Sequence, residues 1–256
     1  MSRFNNAIAV ITGGGSGIGE ASAKRLAAEG AKVILVGRTA SKLDRVASEI
    51  NEVENEKVAF PFTCDVTSEK DVDQLTDYLE KEFGDVTVLI NNAGGSFNSN
   101  IQQTSYEQWD DIQKLNVDSV FLVSKKIGKL MIDAASKNEN VDRNIINIAS
   151  LSGYKPGALF PHYSAAKASV INLTKALAFE YSRSGIRVNS ISPGFIATDL
   201  VDSQNEKVQK IINRKTTMSR LGKPEEIASV VAFLSSEEAS YVTGIDMLVD
   251  GGYMLT

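Results

Sequence analysis

Short apolar runs that alternate with longer helical patterns constrain the fold of this chain more than any other feature. Four strong runs and three weaker ones occur, at residues 7–11, 33–36, 86–90 and 145–148, and at 58–60, 187–191 and 245–249. A strand that is apolar on both faces needs helices on both sides, as in a parallel sheet. The alternation therefore predicts an α/β, doubly wound Rossmann fold with a seven-stranded parallel sheet and helices on both faces.

Helical patterns occupy the intervals between these runs. They cover residues 17–29, 40–55, 68–83, 106–137, 161–183 and 224–235. Ser68 before Glu69 is typical of a helix start, and Pro224 fits the first turn of the last helix. No linker rich in proline, glycine or serine divides the chain, so we expect a single domain over residues 1–256. The mixed pattern of residues 194–223 predicts a lid over a substrate site.

The scarcity of cysteine and histidine excludes several kinds of chemistry. The chain has one of each, Cys64 and His162. One cysteine cannot form an internal disulfide, and two residues cannot supply the ligands of a Cys/His zinc site. A magnesium site made only of carboxylates stays compatible with these counts, but we assign no metal ligand. A Ser-His-Asp hydrolase would have to use His162.

The charge and the hydropathy of the chain bear on its partners. The net charge of −5 argues against a nucleic-acid or anionic-membrane surface. No run approaches the roughly 18 apolar residues that a membrane span needs, and the first residues show no apolar core of a signal peptide. We therefore expect a cytoplasmic protein with a small-molecule partner and without nucleic-acid or membrane partners.

A glycine-rich loop lies between the first apolar run and the first helical pattern. It reads Thr-Gly-Gly-Gly-Ser-Gly-Ile-Gly from Thr12 to Gly19. Glycines there allow a tight turn and a close approach of the backbone to a pyrophosphate, whose charge the helix N-terminus attracts. A purely structural turn is the alternative, but the position between strand and helix favours a dinucleotide. No Lys-Ser/Thr pair follows the last glycine, which disfavours a P-loop.

The end of the second apolar run predicts which dinucleotide is preferred. Val36 is followed by Gly37 and Arg38, where an NAD-preferring site would carry a carboxylate for the ribose 2′-hydroxyl. Gly37 has no charge that repels a 2′-phosphate, and the guanidinium of Arg38 can bind one. We therefore predict NADP as the cofactor, with NAD as the alternative. In the competing structural interpretation, Arg38 is only a solvated surface charge.

Tyr163 and Lys167 form a candidate acid-base pair. They are four residues apart on the predicted helix 161–183 and therefore share a face. A free phenol has a pKa of about 10, which a nearby ammonium group together with a cationic nicotinamide ring lowers by favouring the phenolate. Ser150 follows the run 145–148, where its hydroxyl could reach a substrate oxygen. Tyr-x3-Lys pairs are common on helices, so the position beside a predicted dinucleotide site carries the interpretation.

These motifs, in this order and at this spacing, resemble the short-chain dehydrogenase/reductase family over essentially the whole chain. Further matches are Asn-Asn-Ala-Gly at 91–94, Asn116, Pro193-Gly194 and Val-Asp-Gly-Gly at 249–252. The resemblance implies an NAD(P)-dependent oxidoreductase built as one dinucleotide-binding domain. Members commonly form homotetramers of two-fold symmetry, and the apolar character of the two longest helical patterns would suit such an interface.

The resemblance implies a role for each matching residue. Tyr163 would donate a proton to a carbonyl oxygen as NADPH delivers hydride, while Ser150 would hold that oxygen. Lys167 would bind the nicotinamide ribose and lower the Tyr163 pKa, and Asn116 would support a water in a proton relay. The implied cofactor-binding residues are Gly13, Ser16, Gly17, Ile18, Gly19, Arg38, Asp65, Val66, Asn92, Ala93, Gly94, Tyr163, Lys167, Pro193, Gly194, Ile196 and Thr198.

The substrate stays open between two enzyme classes. The ending Asp-Gly-Gly-Tyr-Met at 250–254 resembles the 3-oxoacyl-thioester reductase branch, although Ser184 stands where those reductases often carry a basic residue. A sugar or polyol dehydrogenase with the same catalytic residues is the alternative. A non-catalytic dinucleotide-sensing protein is disfavoured because the catalytic residues are all present. The pocket candidates are mostly apolar, which favours a hydrophobic ketone or acyl group: Gly95, Ser96, Phe97, Leu151, Ser152, Leu159, Phe160, Phe195 and Leu200.

The single histidine, tryptophan and cysteine of the chain are expected to pack in the fold rather than to take part in catalysis. His162 directly precedes Tyr163 and so points about 100° away from it on a helix. We expect His162 to be a rim or packing residue. Trp109 fits packing near a helix start, and Cys64 is expected to be buried and inert.

Overall fold

Seven parallel strands form one sheet, as the apolar runs predict. The computed structural model describes residues 2–157, 159–198, 212 and 214–255. The strands are β1 (Ile8–Thr12), β2 (Lys32–Gly37), β3 (Ala59–Thr63), β4 (Val88–Asn91), β5 (Arg143–Ile148), β6 (Ile186–Pro193) and β7 (Asp246–Val249). Their order is β3-β2-β1-β4-β5-β6-β7, and every neighbouring pair is parallel. The order reverses between β1 and β4, which is where open α/β sheets bind ligands.

Helices cover both faces of the sheet, and their bounds follow the predicted patterns. They are α1 (Gly17–Ala28), α2 (Ala40–Glu54), α3 (Glu69–Glu82), α4 (Tyr106–Gln113), α5 (Ser119–Ala135), α6 (Pro161–Tyr181) and α7 (Pro224–Leu234). The pattern at 106–137 predicts one continuous helix, but a π-helical turn at Lys114–Asp118 separates α4 from α5. Single π turns inside helices are rare and often occur at functional sites.

The strands β1 to β6 each contribute to two apolar cores, which explains the unbroken apolar runs. In β1, Ile11 packs in the core that also contains Leu26 of α1 and Val231 of α7. Its neighbour Val10 packs in the opposite core, together with Ile127 of α5. Successive side chains of a strand point to opposite faces, so a sheet covered on both sides needs apolar residues at every position.

The helix-start signals correspond to real caps. Ser68 is the N-cap of α3, and its hydroxyl accepts a hydrogen bond from the N–H of Asp71 at 3.3 Å. Pro224 occupies the first turn of α7, where the Glu226 carboxylate accepts from the N–H of Lys223 at 2.8 Å. These contacts satisfy amide groups that a helix start leaves without partners.

Two buried arginines lie at the edge of the sheet where the strands begin. The guanidinium of Arg143 in β5 is paired with Asp85 at 2.6 Å, and that of Arg187 in β6 is paired with Asp142 at 2.7 Å. Each also donates to backbone carbonyls, so both charges are balanced and hydrogen-bonded. Buried charges require such partners.

The segment expected to form a lid, 194–223, falls mostly outside the described residues. Within the described part, Ile196 pairs with Gly222 in a short parallel bridge. The lid therefore stays a prediction.

In the described part of the chain, no helix combines the length and the apolar composition needed to cross a membrane.

Candidate active site

The glycine loop turns from β1 into α1 at the point where the strand order reverses. Gly13 and Gly17 have φ values of 66° and 56°, which other residues rarely adopt. A side chain on Gly19 would collide with the Gly13 carbonyl oxygen, so the turn closes only with glycine there. Ser16 is the N-cap of α1, and among the described residues its hydroxyl caps no helix N–H. The loop thus leaves backbone and hydroxyl donors at a helix start, as phosphate binding requires.

Thr12 and Asn92 hold the ends of β1 and β4 together beneath this loop. The Thr12 hydroxyl oxygen accepts hydrogen bonds from the N–H groups of Asn92 at 2.9 Å and Ala93 at 3.0 Å. The Asn92 carboxamide donates to the Thr12 carbonyl at 3.0 Å and to the Gly13 carbonyl at 3.3 Å. Asn92 therefore braces the glycine loop.

One half of the cleft lies between the glycine loop and the ends of β2 and β3. Its lining includes seven of the predicted cofactor-binding residues: Gly13, Ser16, Arg38, Asp65, Val66, Ala93 and Gly94. Lys42, which the sequence analysis did not single out, lines it as well. In the described part of the chain, the charged groups of Arg38 and Lys42 have no ion-pair or hydrogen-bond partner. Lys42 could have been predicted from the sequence, because it lies in the first turn of a helix that starts at residue 40, close to Arg38.

Cys64 lines the same half of the cleft but is almost completely buried. Burial raises the pKa of its thiol to about 12, and the nearby carboxylates of Asp71 and Asp65 act in the same direction. The thiolate form, which carries cysteine reactivity, is therefore suppressed at neutral pH. The expected burial of Cys64 is confirmed, and its inertness stays a prediction that the raised pKa supports.

The other half of the cleft, a cavity of about 350 Å³, contains the candidate acid-base residues. Ten predicted site residues line it: Ile18, Asn92, Gly94, Ser150, Tyr163, Lys167, Pro193, Gly194, Ile196 and Thr198. Three further ones support the cleft from outside its lining. Gly17 lies against the methyl group of Thr198, Gly19 closes the glycine turn, and Asn116 lies behind Gly94. The structure thus brings together residues from both ends of the chain.

Lys167 is a buried cation with few partners. Its side chain is 3% exposed, and its Nζ donates to the Ile148 carbonyl at 2.8 Å. The same Nζ lies 5.6 Å from the centre of the Tyr163 ring. Within the described residues no carboxylate pairs with it. Burial lowers the pKa of Lys167 to about 8, since the charged form loses its hydration.

Tyr163 is affected by burial in the opposite direction. Burial raises the pKa of its phenol, and a hydrogen bond with the Ser150 side chain lowers it by a smaller amount. Ser150 itself follows β5 and accepts from the N–H of Ser152 at 3.1 Å. The residues of the chain alone thus do not produce the lowered Tyr163 pKa that the sequence predicts. The physical reason is burial, which penalises the charged phenolate more than the Ser150 hydrogen bond stabilises it. The Lys167 ammonium group lies over the phenol ring, 5.6 Å from its centre.

Asn116 lies in the π-helical turn and is fully buried. Its carboxamide nitrogen donates to the carbonyls of Gly95 at 2.9 Å and Ile112 at 3.0 Å, and its oxygen accepts from the N–H of Gly95 at 3.3 Å. A Cβ on Gly94 would lie 2.7 Å from the Asn116 oxygen and 3.4 Å from Lys167 Nζ. The absence of a side chain at Gly94 therefore keeps Asn116 and Lys167 close to one another.

The pocket candidates for the substrate divide into two groups. Six of them line the cavity: Gly95, Ser96, Leu151, Ser152, Phe160 and Phe195. The prediction was wrong for Phe97, which stacks on His162 instead, and for Leu159, which is 49% exposed outside the lining. Leu200 lies outside the described residues. His162, expected as a rim or packing residue, is a packing residue with no exposed surface.

Several lining residues were missed by the sequence analysis. They are Asn98, Lys155, Pro156, Gly157 and Tyr253. Tyr253 follows β7, and its ring meets that of Phe195 edge-on at 5.3 Å between ring centres. Tyr253 reaches this cavity only because β7 pairs with β6, so no local pattern could have predicted its place there. In the part of the chain that the structure describes, no group of three or more His, Cys, Asp or Glu side chains could hold a metal ion.

Comparisons with known proteins agree with this geometry. The family model described as enoyl-(acyl carrier protein) reductase matches residues 13–254. The chain is 36% identical to the 3-oxoacyl-[acyl-carrier-protein] reductase of Synechocystis over 258 residues, covering 100% of both chains. It is 33% identical to the meso-2,3-butanediol dehydrogenase of Serratia marcescens, covering 98% of this chain and 95% of that one.

A solved structure shows the same fold. The short-chain type dehydrogenase/reductase from Mycobacterium marinum has a TM-score of 0.92 and 34% sequence identity, covering 99% of this chain and 97% of the other. The chain belongs to the short-chain dehydrogenase/reductase family. It is an NAD(P)-dependent oxidoreductase of the kind that interconverts carbonyl and alcohol groups.

Proposed function

We propose that this protein is an NADPH-dependent reductase that converts a ketone into an alcohol, with Tyr163 as the general acid. The observation that carries the proposal is that Ser150, Tyr163 and Lys167 line one cavity, which continues towards the glycine loop. General acid-base catalysis by a positioned group contributes about 10²- to 10⁴-fold to a rate. A buried phenol beside a buried ammonium group is an arrangement suited to that task.

The residues of the cleft fit a nicotinamide dinucleotide. Gly13, Gly17 and Gly19 form a turn that tolerates no side chains, next to the N-terminus of α1. When bound, such a cofactor supplies the hydride. The chain itself supplies donors for the pyrophosphate at the glycine loop, and Asp65 and Val66 line the position expected for the adenine. Ile196 and Thr198 would contact the nicotinamide carboxamide and the phosphates.

The catalytic residues of the chain divide the work at the substrate oxygen. Ser150 donates a hydrogen bond to the carbonyl oxygen and orients it. Tyr163 donates its hydroxyl proton to that oxygen, and its raised pKa keeps the proton in place at neutral pH until then. Lys167 binds the nicotinamide ribose and, with a pKa of about 8, can return a proton to the phenolate. Asn116 holds the backbone at Gly95 and supports a water-mediated proton path from Lys167 to solvent.

The proposed role of Tyr163 is tested by removing one oxygen atom. For Tyr163→Phe we expect kcat to fall by about 10²- to 10⁴-fold, with the Kd for NADPH within about twofold of the wild type. Tyr154→Phe is a matched control, because Tyr154 is about half exposed and its hydroxyl donates to Asp246 at 2.9 Å. Nearly unchanged turnover in Tyr163→Phe would overturn the mechanism.

The preference for NADPH is supported by two cations rather than one. Arg38 and Lys42 both line the half of the cleft at the end of β2, and Gly37 brings no negative charge there. We expect a higher kcat/KM with NADPH than with NADH. Arg38→Ser and Lys42→Ser should each reduce the preference about tenfold, as expected for a charge-assisted contact worth roughly 1.5 kcal/mol.

A matched control is available for these two substitutions. Lys24 lies near the same glycine loop, but its Nζ is paired with both Glu20 and Glu49 at 2.7 Å. Lys24→Ser should therefore leave the cofactor preference unchanged. A wild-type enzyme that prefers NADH would refute the NADPH assignment.

The cavity lining favours a hydrophobic ketone or a 3-oxoacyl thioester over a sugar. Leu151, Pro156, Phe160, Phe195 and Tyr253 form apolar walls around the Ser150 and Tyr163 hydroxyls. A panel of aliphatic and aromatic ketones, acyl thioesters and, in the oxidative direction, polyols would be followed by NADPH absorbance. The highest kcat/KM is expected for an apolar ketone or an oxoacyl thioester. A clear preference for polyols would favour the dehydrogenase alternative.

We also propose a homotetramer. Phe121 on α5 is 50% exposed and Phe179 on α6 is 81% exposed, which leaves apolar surface on two neighbouring helices. Light scattering should show about four times the 27.6 kDa chain mass. A monomer in solution would overturn this proposal.

The cytoplasmic location stays a prediction from the sequence.

A further inference from the structure

The segment 94–99, called here the substrate loop, leads from the end of β4 along the cavity. It is held at every second residue. Gly95 exchanges two hydrogen bonds with the Asn116 carboxamide, at 2.9 and 3.3 Å. The Phe97 carbonyl accepts from His162 Nε2 at 3.1 Å, and the N–H of Ser99 donates to the Leu159 carbonyl at 3.0 Å. This spacing leaves the residues between the anchors, Ser96 and Asn98, in the cavity lining.

His162 contributes two separate contacts to the central anchor. Its ring stacks on the Phe97 ring with 4.4 Å between centres and an angle of 20°. Its Nε2 carries the proton of the hydrogen bond to Phe97, because a carbonyl oxygen can only accept. The Gln113 carboxamide donates to the His162 carbonyl at 3.0 Å, which ties this first turn of α6 to α4. His162 is therefore directed at the loop although its chain neighbour Tyr163 lines the cavity.

The other ring nitrogen of His162 points to a role beyond packing. Within the described residues, Nδ1 is buried and has no hydrogen-bond partner. A buried polar atom without a partner is costly, and native proteins contain few of them. A phenylalanine would fill the same position against Phe97 without that cost. What a phenylalanine would lack is the Nε2 donor to the Phe97 carbonyl.

We propose that His162 is a positioning residue for the substrate loop. Through Phe97, whose carbonyl also accepts from the Ser96 hydroxyl at 3.4 Å, it sets the loop so that Asn98 faces the part of the substrate beyond its carbonyl group. This inference rests on the proposed reductase function and adds a specificity determinant to it. It implies a substrate that carries a second carbonyl near the ketone, as a 3-oxoacyl thioester does, rather than a purely apolar ketone.

The first test separates the hydrogen bond from the ring packing. His162→Phe keeps the stacked ring and removes the donor, whereas His162→Gln keeps an amide donor and removes the ring. For His162→Phe we expect the KM of the ketone to rise about fivefold, the effect of one hydrogen bond, with the Kd for NADPH and the Tm unchanged. His162→Gln should recover part of the lost KM. A fall in Tm with parallel losses in kcat and cofactor binding would show a merely structural role.

A double-mutant cycle tests whether His162 acts through the loop. If it does, Asn98→Ala should raise the KM in the wild type but have little further effect in His162→Phe, so the two changes are not additive. Ser152→Ala is the control, because Ser152 lines the cavity from a different segment, the turn Leu151–Gly153 after β5. Its effect should add to that of His162→Phe. Additive effects of Asn98→Ala and His162→Phe would overturn the proposal.

A measurement without turnover separates this proposal from the proposed function. Amide hydrogen exchange of residues 94–99 should be faster in His162→Phe than in the wild type, because the Phe97 anchor is weakened. Unchanged exchange would contradict the positioning role even in an active enzyme. If the wild type reduces no ketone in the panel, the proposed function fails while the exchange result still decides the role of His162.

Discussion

Buried cations lie at both edges of the sheet, but only one edge balances their charge. Where the strands begin, the Arg143 guanidinium meets the Asp85 carboxylate at 2.6 Å and also donates to the carbonyls of Asn138 and Val141. Where the strands end, Lys167 is equally buried, yet its ammonium group donates only to the Ile148 carbonyl among the described residues. The two residues are alike in burial and opposite in the completeness of their contacts.

Whether a buried cation has a carboxylate partner separates two roles here: the paired cation stabilises the fold, and the unpaired one takes part in chemistry. A fully paired buried cation resists removal, because removing it leaves a carboxylate and carbonyls without partners. An unpaired buried cation is costly, and it keeps donors available for groups that bind later. Burial also lowers the pKa of Lys167, and perturbed pKa values are typical of functional sites. The comparison predicts that mutations where the strands end reduce activity but not stability, and that mutations where the strands begin reduce stability but not activity.

The largest effect is expected from Lys167→Met. Methionine fills a similar volume without a charge, so we expect kcat for the ketone to fall by about 10²- to 10⁴-fold. The free energy of unfolding in urea should stay the same or rise, because a costly buried charge is removed. Activity assays and urea titrations on the same sample check both parts. A large loss of stability would show that Lys167 is a structural cation like Arg143.

Arg143→Met should show the reverse signature. We expect the free energy of unfolding to fall by about 1–3 kcal/mol, because the Asp85 carboxylate loses its charged hydrogen-bond partner but is 28% exposed to water. The kcat of the remaining folded protein should be close to that of the wild type, because Arg143 lies at the far edge of the sheet. Adding Asp85→Asn to Arg143→Met should recover part of the stability. No recovery would argue that the carbonyl contacts, rather than the ion pair, matter at this edge.

The pH dependence of stability should differ between the wild type and Lys167→Met. The pKa of Lys167 is about 8 in the folded protein, against about 10.4 for an ordinary lysine in the unfolded chain. Between these values the unfolded chain binds more protons, so this group makes stability rise with pH. From pH 8 to pH 10 the wild type should gain about 2 kcal/mol relative to Lys167→Met. A constant difference across this range would contradict the lowered pKa.

An exposed pair should have the smallest effect. Lys129 and Asp133 on α5 lie 2.6 Å apart, with side chains 75% and 54% exposed. We expect Asp133→Asn to change the free energy of unfolding by less than about 0.5 kcal/mol, since water and salt screen such pairs. Kinetic constants should not change. A larger effect would mean that burial is not what separates strong from weak charge pairs in this protein.

Local patterns in the sequence were sufficient for the framework. The two-sided apolar runs predicted β1, β2, β4 and β5, since a strand covered on both faces needs apolar residues throughout. Weaker runs predicted β3, β6 and β7. The glycine loop was recognisable because its conformation excludes other residues, as Gly13 and Gly17 show. Tyr163 and Lys167 could be paired because one helical turn separates them. These inferences depend only on residues that are close in the chain.

Other features were decided only by contacts between distant parts of the chain. The π-helical turn around Asn116 depends on its hydrogen bonds to the substrate loop, and Tyr253 reaches the cavity only through the pairing of β6 with β7. The raised pKa of Tyr163 and the lowered pKa of Lys167 follow from burial, which no spacing reveals. His162 could be placed off the cavity from helix geometry, but its stacking on Phe97 could not be foreseen. The sequence therefore determined the fold and the identity of the catalytic groups. Tertiary packing determined the pKa values of these groups and the contacts that position them, because both depend on which residues are buried away from water.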